Sequence, residues 1–119
     1  MKISTKGRYA LRMMLDLAEH QGDGYVALKD IAQRQGISKK YLEQIVPTLS
    51  RAGFLLTNRG YQGGYRLCRA PEDYTVYEIL SMAEGGLAPV ACLDQPENTC
   101  PRAPDCLTLP VWEGLEKTI

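Results

Sequence analysis

Three cysteines fall within fifteen residues, in the stretch CLDQPENTCPRAPDC spanning 92 to 106, and the chain's one histidine, His20, is far away in sequence. Seven residues separate Cys92 from Cys100 and five separate Cys100 from Cys106, while Pro89, Pro96, Pro101 and Pro104 are too frequent for a regular element. Clustered thiolates suit zinc or an iron–sulfur centre, because both favour soft sulfur donors. A saturated site takes four donors, so this set is one short. The residues alone leave three outcomes open: a metal or cluster site, a pair that closes a disulfide, or free thiols. Proline-rich spacing favours a loop fixed around something. Candidates for a fourth donor are Asp16, Glu19 and His20, then Asp94, Asp105, Thr108, Cys68, or an exogenous small molecule. His20 has the competing reading of a surface residue near a helix end. Cys68 reads as a small packing residue between Leu67 and Arg69.

The compartment sharpens this reading. The chain has no unbroken apolar run at its start and no stretch long enough to span a bilayer, which predicts a cytoplasmic protein without membrane association. In a reducing cytosol clustered cysteines serve as ligands or redox thiols more often than as structural disulfides. No acid–base pair and no histidine partner accompany the cysteines, so the sequence predicts no enzyme.

A second constellation lies in the first seventy residues. They carry twelve Lys and Arg against five Asp and Glu, whereas residues 71 to 119 carry two against nine, so a formal net charge of zero conceals a basic half joined to an acidic half. That asymmetry is one footprint of nucleic-acid binding, although surface charge can also fall unevenly by chance. The sequence predicts two parts, a DNA-binding region over 1–70 and a cysteine-loop and dimerisation region over 71–119.

The elements that must position these groups follow from periodicity and caps. Apolar residues from Tyr9 to Ala18 recur at helical spacing, with Ser4 or Thr5 as cap and Gly22 as stop. A short extended segment around 25–27 precedes the helix LKDIAQRQ, which Gly36 ends. Ser38 then caps a helix whose Leu42, Ile45, Val46 and Leu49 form one apolar face, stopping near Gly53. Two helices meeting across Gly36-Ile37-Ser38 have the spacing of a helix-turn-helix. Pro47 removes one bond from the second helix, at about 3 kcal/mol in a helix interior, and predicts either a bend or an earlier helix end. Strands over 54–57 and 65–67 flank a Gly-rich loop and form a hairpin. Thr75 and Glu78 fit a capping box for a further short helix, and TLPVWEGLEKTI opens a last one with Leu109, Trp112, Leu115 and Ile119 on one side. The predicted fold is mainly α with a small β-hairpin, a winged helix-turn-helix plus a C-terminal dimerisation helix.

In such a fold the second helix enters the major groove. Ser38, Lys39, Lys40 and Tyr41 can hold phosphates, Gln44 can pair with adenine, and Glu43 can accept from cytosine. The plainer reading of Glu43 is an ion pair with Lys39 or Lys40, worth only ~0.3 kcal/mol. At the hairpin tip Arg59 and Gly60 suit a narrow minor groove, although any hairpin needs glycine and a lone arginine is ordinarily solvated.

KISTKGRYALRMMLDLA, GISKKYLEQI, RGYQGGYRL and three cysteines ahead of a terminal helix together resemble the IscR-type winged-helix transcription regulators of the Rrf-two family, over essentially the whole chain. The resemblance implies a homodimer that binds double-stranded promoter DNA and senses iron–sulfur, nitric oxide or redox status. It implies recognition-helix roles for Ser38, Tyr41, Glu43 and Gln44, wing contacts at Arg59 and Gly60, and cluster ligation by Cys92, Cys100 and Cys106. The cluster would be [2Fe–2S] or [4Fe–4S]. Where some relatives place a histidine after the third cysteine this chain has Leu107, and where others supply a ligand from the first helix it has Arg8 and Arg12, which cannot coordinate iron. Dimerisation in such proteins uses a long terminal helix, of which the opening falls within these 119 residues. The alternatives are a cluster-free winged-helix regulator with thiol-based redox sensing and a small iron–sulfur electron-transfer protein.

Overall fold

A computed structural model describes residues 3–60, 63–88, 93, 97–98 and 100–118. The chain divides into two compact units, Ile3–Glu84 and a segment from Gly85 onward. In chain order the elements are α1 (Thr5–His20), α2 (Leu28–Gln35), α3 (Lys39–Arg51), β1 (Leu55–Asn58), β2 (Gly64–Leu67), α4 (Val76–Glu84) and α5 (Leu109–Thr118), with single 3-10 turns at Pro71–Asp73 and Ala103–Asp105.

Local chemistry sets the helix ends. The Ser4 hydroxyl accepts the Gly7 N–H at 3.3 Å to open α1, and the Ser38 hydroxyl accepts the Tyr41 N–H at 3.1 Å to open α3. Gly36 closes α2 in the left-handed region at φ 65°, where a side chain would be strained. The helix-turn-helix is therefore formed as its spacing predicted. α3 runs four residues beyond Pro47, so the shorter helix is excluded; the missing N–H is tolerated because Leu42, Ile45, Val46 and Leu49 remain buried on either side of it.

The core of the first unit joins Ala10, Met13 and Leu17 of α1 to Ile31 of α2 and to Leu42, Ile45 and Leu49 of α3, all essentially inaccessible. Each of the Met, Leu and Ile side chains in this set contributes ~1.5–3 kcal/mol on burial. Phe54, Leu55 and Leu67 close the core from the hairpin, and Ile79 and Ala83 close it from α4. The hairpin is antiparallel, with Leu55 opposite Leu67 and Asn58 opposite Gly64. The extended segment expected over 25–27 makes a single bridge: Val26 and Tyr65 exchange backbone hydrogen bonds of 2.8 and 2.9 Å. Gly64 is required there, because a Cβ would overlap the Val26 carbonyl.

Two polar latches complete this unit. The Tyr74 hydroxyl donates to the Phe54 carbonyl at 2.8 Å and accepts the Cys68 and Arg69 N–H groups at 3.0 and 3.1 Å, tying the end of the wing to the approach to α4. The capping box forms as expected: Glu78 accepts the Thr75 N–H at 3.0 Å and donates its own N–H to the Thr75 hydroxyl at 3.0 Å. That backbone bond from Thr75, with Arg69 nearby, holds the Glu78 carboxyl below its usual range. Cys68 departs from its expected packing role. Its residue is exposed, since β2 ends at Leu67 and the chain turns outward.

Among the described residues the one buried charged side chain is Asp16, on the apolar face of α1. Arg34 holds it by a fork of two bonds at 3.0 and 2.7 Å, and the Gln35 amide adds a third at 2.9 Å. Burial by itself would push this carboxyl up, but the hydrogen bonds from Arg34 and Gln35 outweigh it and the pKa lies below the usual 3.8. A depressed carboxyl stabilises the fold fully above its unfolded pKa and loses that contribution as pH falls through the folded value. Asp16→Ala is expected to cost ~3 kcal/mol at pH 7, toward the lower end for a broken buried pair because Arg34 stays partly solvated. Urea titrations from pH 7 to 3 should show the parent losing stability below about pH 4, with Asp16→Asn lacking that part of the loss.

Candidate nucleic-acid interface and thiolate segment

The polar face of α3 is opposite its buried face. Ser38, Lys39, Lys40, Glu43 and Gln44 are exposed, whereas Tyr41 is half-buried with its ring edge-on to Tyr9 at 5.4 Å. Neither Lys39 nor Lys40 pairs with Glu43 within ion-pair distance among the described residues. The competing salt-bridge reading of Glu43 therefore has no contact behind it. Its carboxylate stands in solvent beside two lysines on an otherwise basic face.

Tyr41 connects to a network that sequence reading did not assemble. The Arg12 guanidinium lies 5.4 Å from the centre of the Tyr9 ring and donates to the Gln35 side-chain oxygen at 3.1 Å and to the Gln35 carbonyl. Gln35 in turn holds Asp16. The path from Asp16 through Gln35, Arg12 and Tyr9 to Tyr41 links α1 and the end of α2 to the first turn of α3. A lone acid on the apolar stripe of α1 was the available signal, since a buried carboxylate needs a partner. Its partner lay eighteen residues on, and no spacing rule reaches that far.

At the hairpin, Arg59 and Gly60 follow β1 and are exposed, and Gly60 has φ 110°. The Gly63 N–H donates to the Gly60 carbonyl at 3.0 Å, and a Cβ at Gly63 would overlap the Asn58 carbonyl. These glycines allow the reversal that presents Arg59. Tyr61 and Gln62, in the same motif, lie outside the described residues.

In the second unit Cys100 and Cys106 are free, half-buried thiols, whereas Cys92 lies outside the described residues. The Cys100 N–H donates to the Asn98 side chain at 2.9 Å. The Cys106 sulfur lies 3.5 Å from the Thr108 hydroxyl, just ahead of α5. Hydrogen bonding from that hydroxyl and from the Thr108 and Leu109 N–H groups, with the Arg102 charge, lowers its thiol pKa. Soft, readily deprotonated sulfur is the donor chemistry that an iron–sulfur centre takes. Among the described residues no three His, Cys, Asp or Glu groups are gathered as a metal site.

The fourth-donor candidates separate on contacts. Asp16 is eliminated, because all its hydrogen bonds are taken within the core. Glu19 and His20 are exposed and lie 3.8 Å apart on the surface. Thr108 already engages Cys106, Asp105 is exposed, and Asp94 lies outside the described residues. Along α5, Leu109 and Trp112 are half-buried and Leu115 exposed; Ile119 lies outside the described residues.

A helix-turn-helix followed by a β-hairpin with a basic, exposed second helix defines a winged-helix DNA-binding protein. A family model described as "Rrf2: Iron-dependent Transcriptional regulator" matches residues 3–119, and the chain belongs to that family. It is 45% identical over 119 residues to Protein rrf2 of Nitratidesulfovibrio vulgaris, covering the whole of this chain and 79% of that protein. It is 40% identical to the HTH-type transcriptional regulator IscR of Aliivibrio salmonicida (100% and 70% covered) and 45% identical over 97 residues to CymR of Bacillus subtilis (82% and 70%). Among solved structures, T. potens IscR superposes with TM-score 0.74 at 42% identity over 99% of this chain and 76% of that one. CymR of Staphylococcus aureus in an oxidized form gives 0.68 at 34%, covering 100% and 89%. The relatives are transcriptional regulators, not enzymes. This chain is a winged-helix transcriptional regulator that binds DNA, and no described helix is long and apolar enough to cross a membrane.

Proposed function

We propose that this regulator binds a two-fold symmetric promoter site as a homodimer and that an iron–sulfur cluster held by Cys92, Cys100 and Cys106 sets its affinity. Residues 1–70 carry the DNA contacts, and residues 71–119 carry the cluster and dimer contacts. The observation behind this reading is the match to an iron-dependent regulator family across 3–119 in a chain whose third cysteine has a lowered thiol pKa. When bound, the cluster supplies a centre responsive to iron supply, nitric oxide and oxidation state. The chain's own contribution is a lowered thiol pKa at Cys106, set by the Thr108 hydroxyl and the backbone N–H groups beside it. A weak oxygen or exogenous ligand in the fourth position would make the cluster labile, which a sensor can use.

On the DNA side, Lys39, Lys40, Ser38 and Tyr41 hold phosphates, while Glu43 and Gln44 read bases in the major groove. Arg59, with Gly60 beside it, enters the minor groove. An exposed carboxylate at Glu43 costs affinity near phosphates, so its value lies in discrimination between bases.

A second reading has its own support. CymR relatives include an oxidized form at 34% identity, and Cys100 and Cys106 are free thiols, so a cluster-free thiol switch uses the same segment. Anaerobic purification with an absorption spectrum and iron and sulfide analysis separates the two. A coloured protein with stoichiometric iron and sulfide is expected; colourless protein that forms a Cys100–Cys106 disulfide on mild oxidation would support the thiol switch instead. Cys106→Ala should lose the visible absorption, and a variant as coloured as the parent would remove Cys106 from the ligand set. Loaded and stripped protein should differ in DNA affinity by ~5- to 150-fold; equal affinities would remove the sensing role.

Arg59→Ala should weaken binding by ~1–3 kcal/mol and relax preference for A·T-rich flanks. An equal loss on every duplex tested would contradict a minor-groove reading role. Glu43→Gln should broaden base preference in a selection from random duplexes without lowering affinity for random DNA.

A further inference from the structure

A cleft between α3 and the wing is unassigned apart from Arg59 at its rim. It is an open groove of about 350 Å³ lined by Val46 and Ser50 of α3 and by Thr57, Asn58, Arg59, Gly64 and Tyr65 of the hairpin. Ser50 follows Glu43 by two helical turns, so it continues the same face of α3 toward the hairpin. Thr57 and Asn58 are exposed at the end of β1. No described residue lining the cleft carries a carboxylate.

The topology of duplex DNA gives this cleft an occupant. One sugar–phosphate strand separates each major groove from the adjacent minor groove. With the Lys39 to Gln44 face in the major groove and Arg59 in the minor groove, the strand between them must cross the space between α3 and the wing. Hydroxyl and amide donors are common partners of DNA phosphate oxygens, and they fix register without reading bases. A cleft lined by Ser50 and Thr57 with an arginine at its edge matches a phosphodiester in charge and in donor type.

We infer that the cleft between α3 and the wing is a seat for one backbone phosphodiester per protomer, with the Ser50 and Thr57 hydroxyls donating to its oxygens. The assignment rests on the placement of α3 and Arg59 proposed above. It divides the labour around the wing: Arg59 discriminates, while Ser50 and Thr57 hold register whatever the sequence.

The test uses the full 119-residue chain and a duplex recovered from a random pool by binding to the parent protein, with an unselected duplex alongside. Thr57→Val keeps the branched shape, and Ser50→Ala keeps the helix. Each should lower affinity ~3- to 10-fold, as loss of one hydrogen bond does, and by the same factor on both duplexes. The slope of log affinity against log salt should be unchanged, because no charge is removed. Neutral methylphosphonate placed at successive backbone positions should then reveal one phosphate per half-site whose neutralisation weakens the parent but has little further effect on the Ser50→Ala/Thr57→Val double variant. Unchanged affinity in folded variants, or penalties equal in parent and double variant at every position, would overturn the seat. Failure of the parent to retain any duplex would overturn the DNA-contact assignments beneath it, so the two failures are distinguishable.

Discussion

The geometry of the DNA-binding unit depends on a buried carboxylate. Asp16 sits among Met13, Met14 and Leu17 on the inner face of α1, and its charge is tolerated because Arg34 and Gln35 supply three hydrogen bonds from the last turn of α2. An apolar residue at that position would avoid the desolvation cost and still pack, but it would not specify which turn of α2 must face α1. The fork from Arg34 does, because two parallel bonds fix direction as well as distance. Gln35 is also the last residue before the left-handed Gly36, so the same contact anchors the turn from which α3 departs.

From that anchor, order passes outward to the DNA-facing surface. Arg12 joins Gln35 to the Tyr9 ring, and Tyr9 meets Tyr41 edge-on at the start of α3. The wing is tied separately, by the Tyr74 hydroxyl at Phe54, Cys68 and Arg69 and by the backbone exchange between Val26 and Tyr65. Recognition helix and hairpin are thus each braced from behind, and Phe54, Leu55 and Leu67 join the hairpin to the core that α3 shares.

The thiolate segment is built differently. Its described part has one 3-10 turn and α5, with no buried residue in either, and its polar contacts are short-range: the Asn98 side chain accepts the Cys100 N–H, and the Thr108 hydroxyl lies beside the Cys106 sulfur. Cluster ligation and disulfide exchange both begin from thiolate, so a lowered thiol pKa serves either.

Much of this was legible in the residue order, wherever the determining interactions are local. Ser4, Ser38, Gly36 and the Thr75–Glu78 box mark helix ends because a cap is a contact across three or four residues, and the helix-turn-helix and hairpin follow from them. The exposed set Lys39, Lys40, Glu43, Gln44 and Arg59 was legible too, since helical period and turn chemistry decide which side chains face outward. Tertiary structure alone decided the rest. It removed Asp16 from the candidate iron ligands by pairing it with Arg34, turned Cys68 outward at the end of β2, carried α3 past Pro47, and opened a cleft between Ser50 and Thr57. Each of these depends on groups brought together by the packing of whole elements, a distance over which periodicity and caps carry no information.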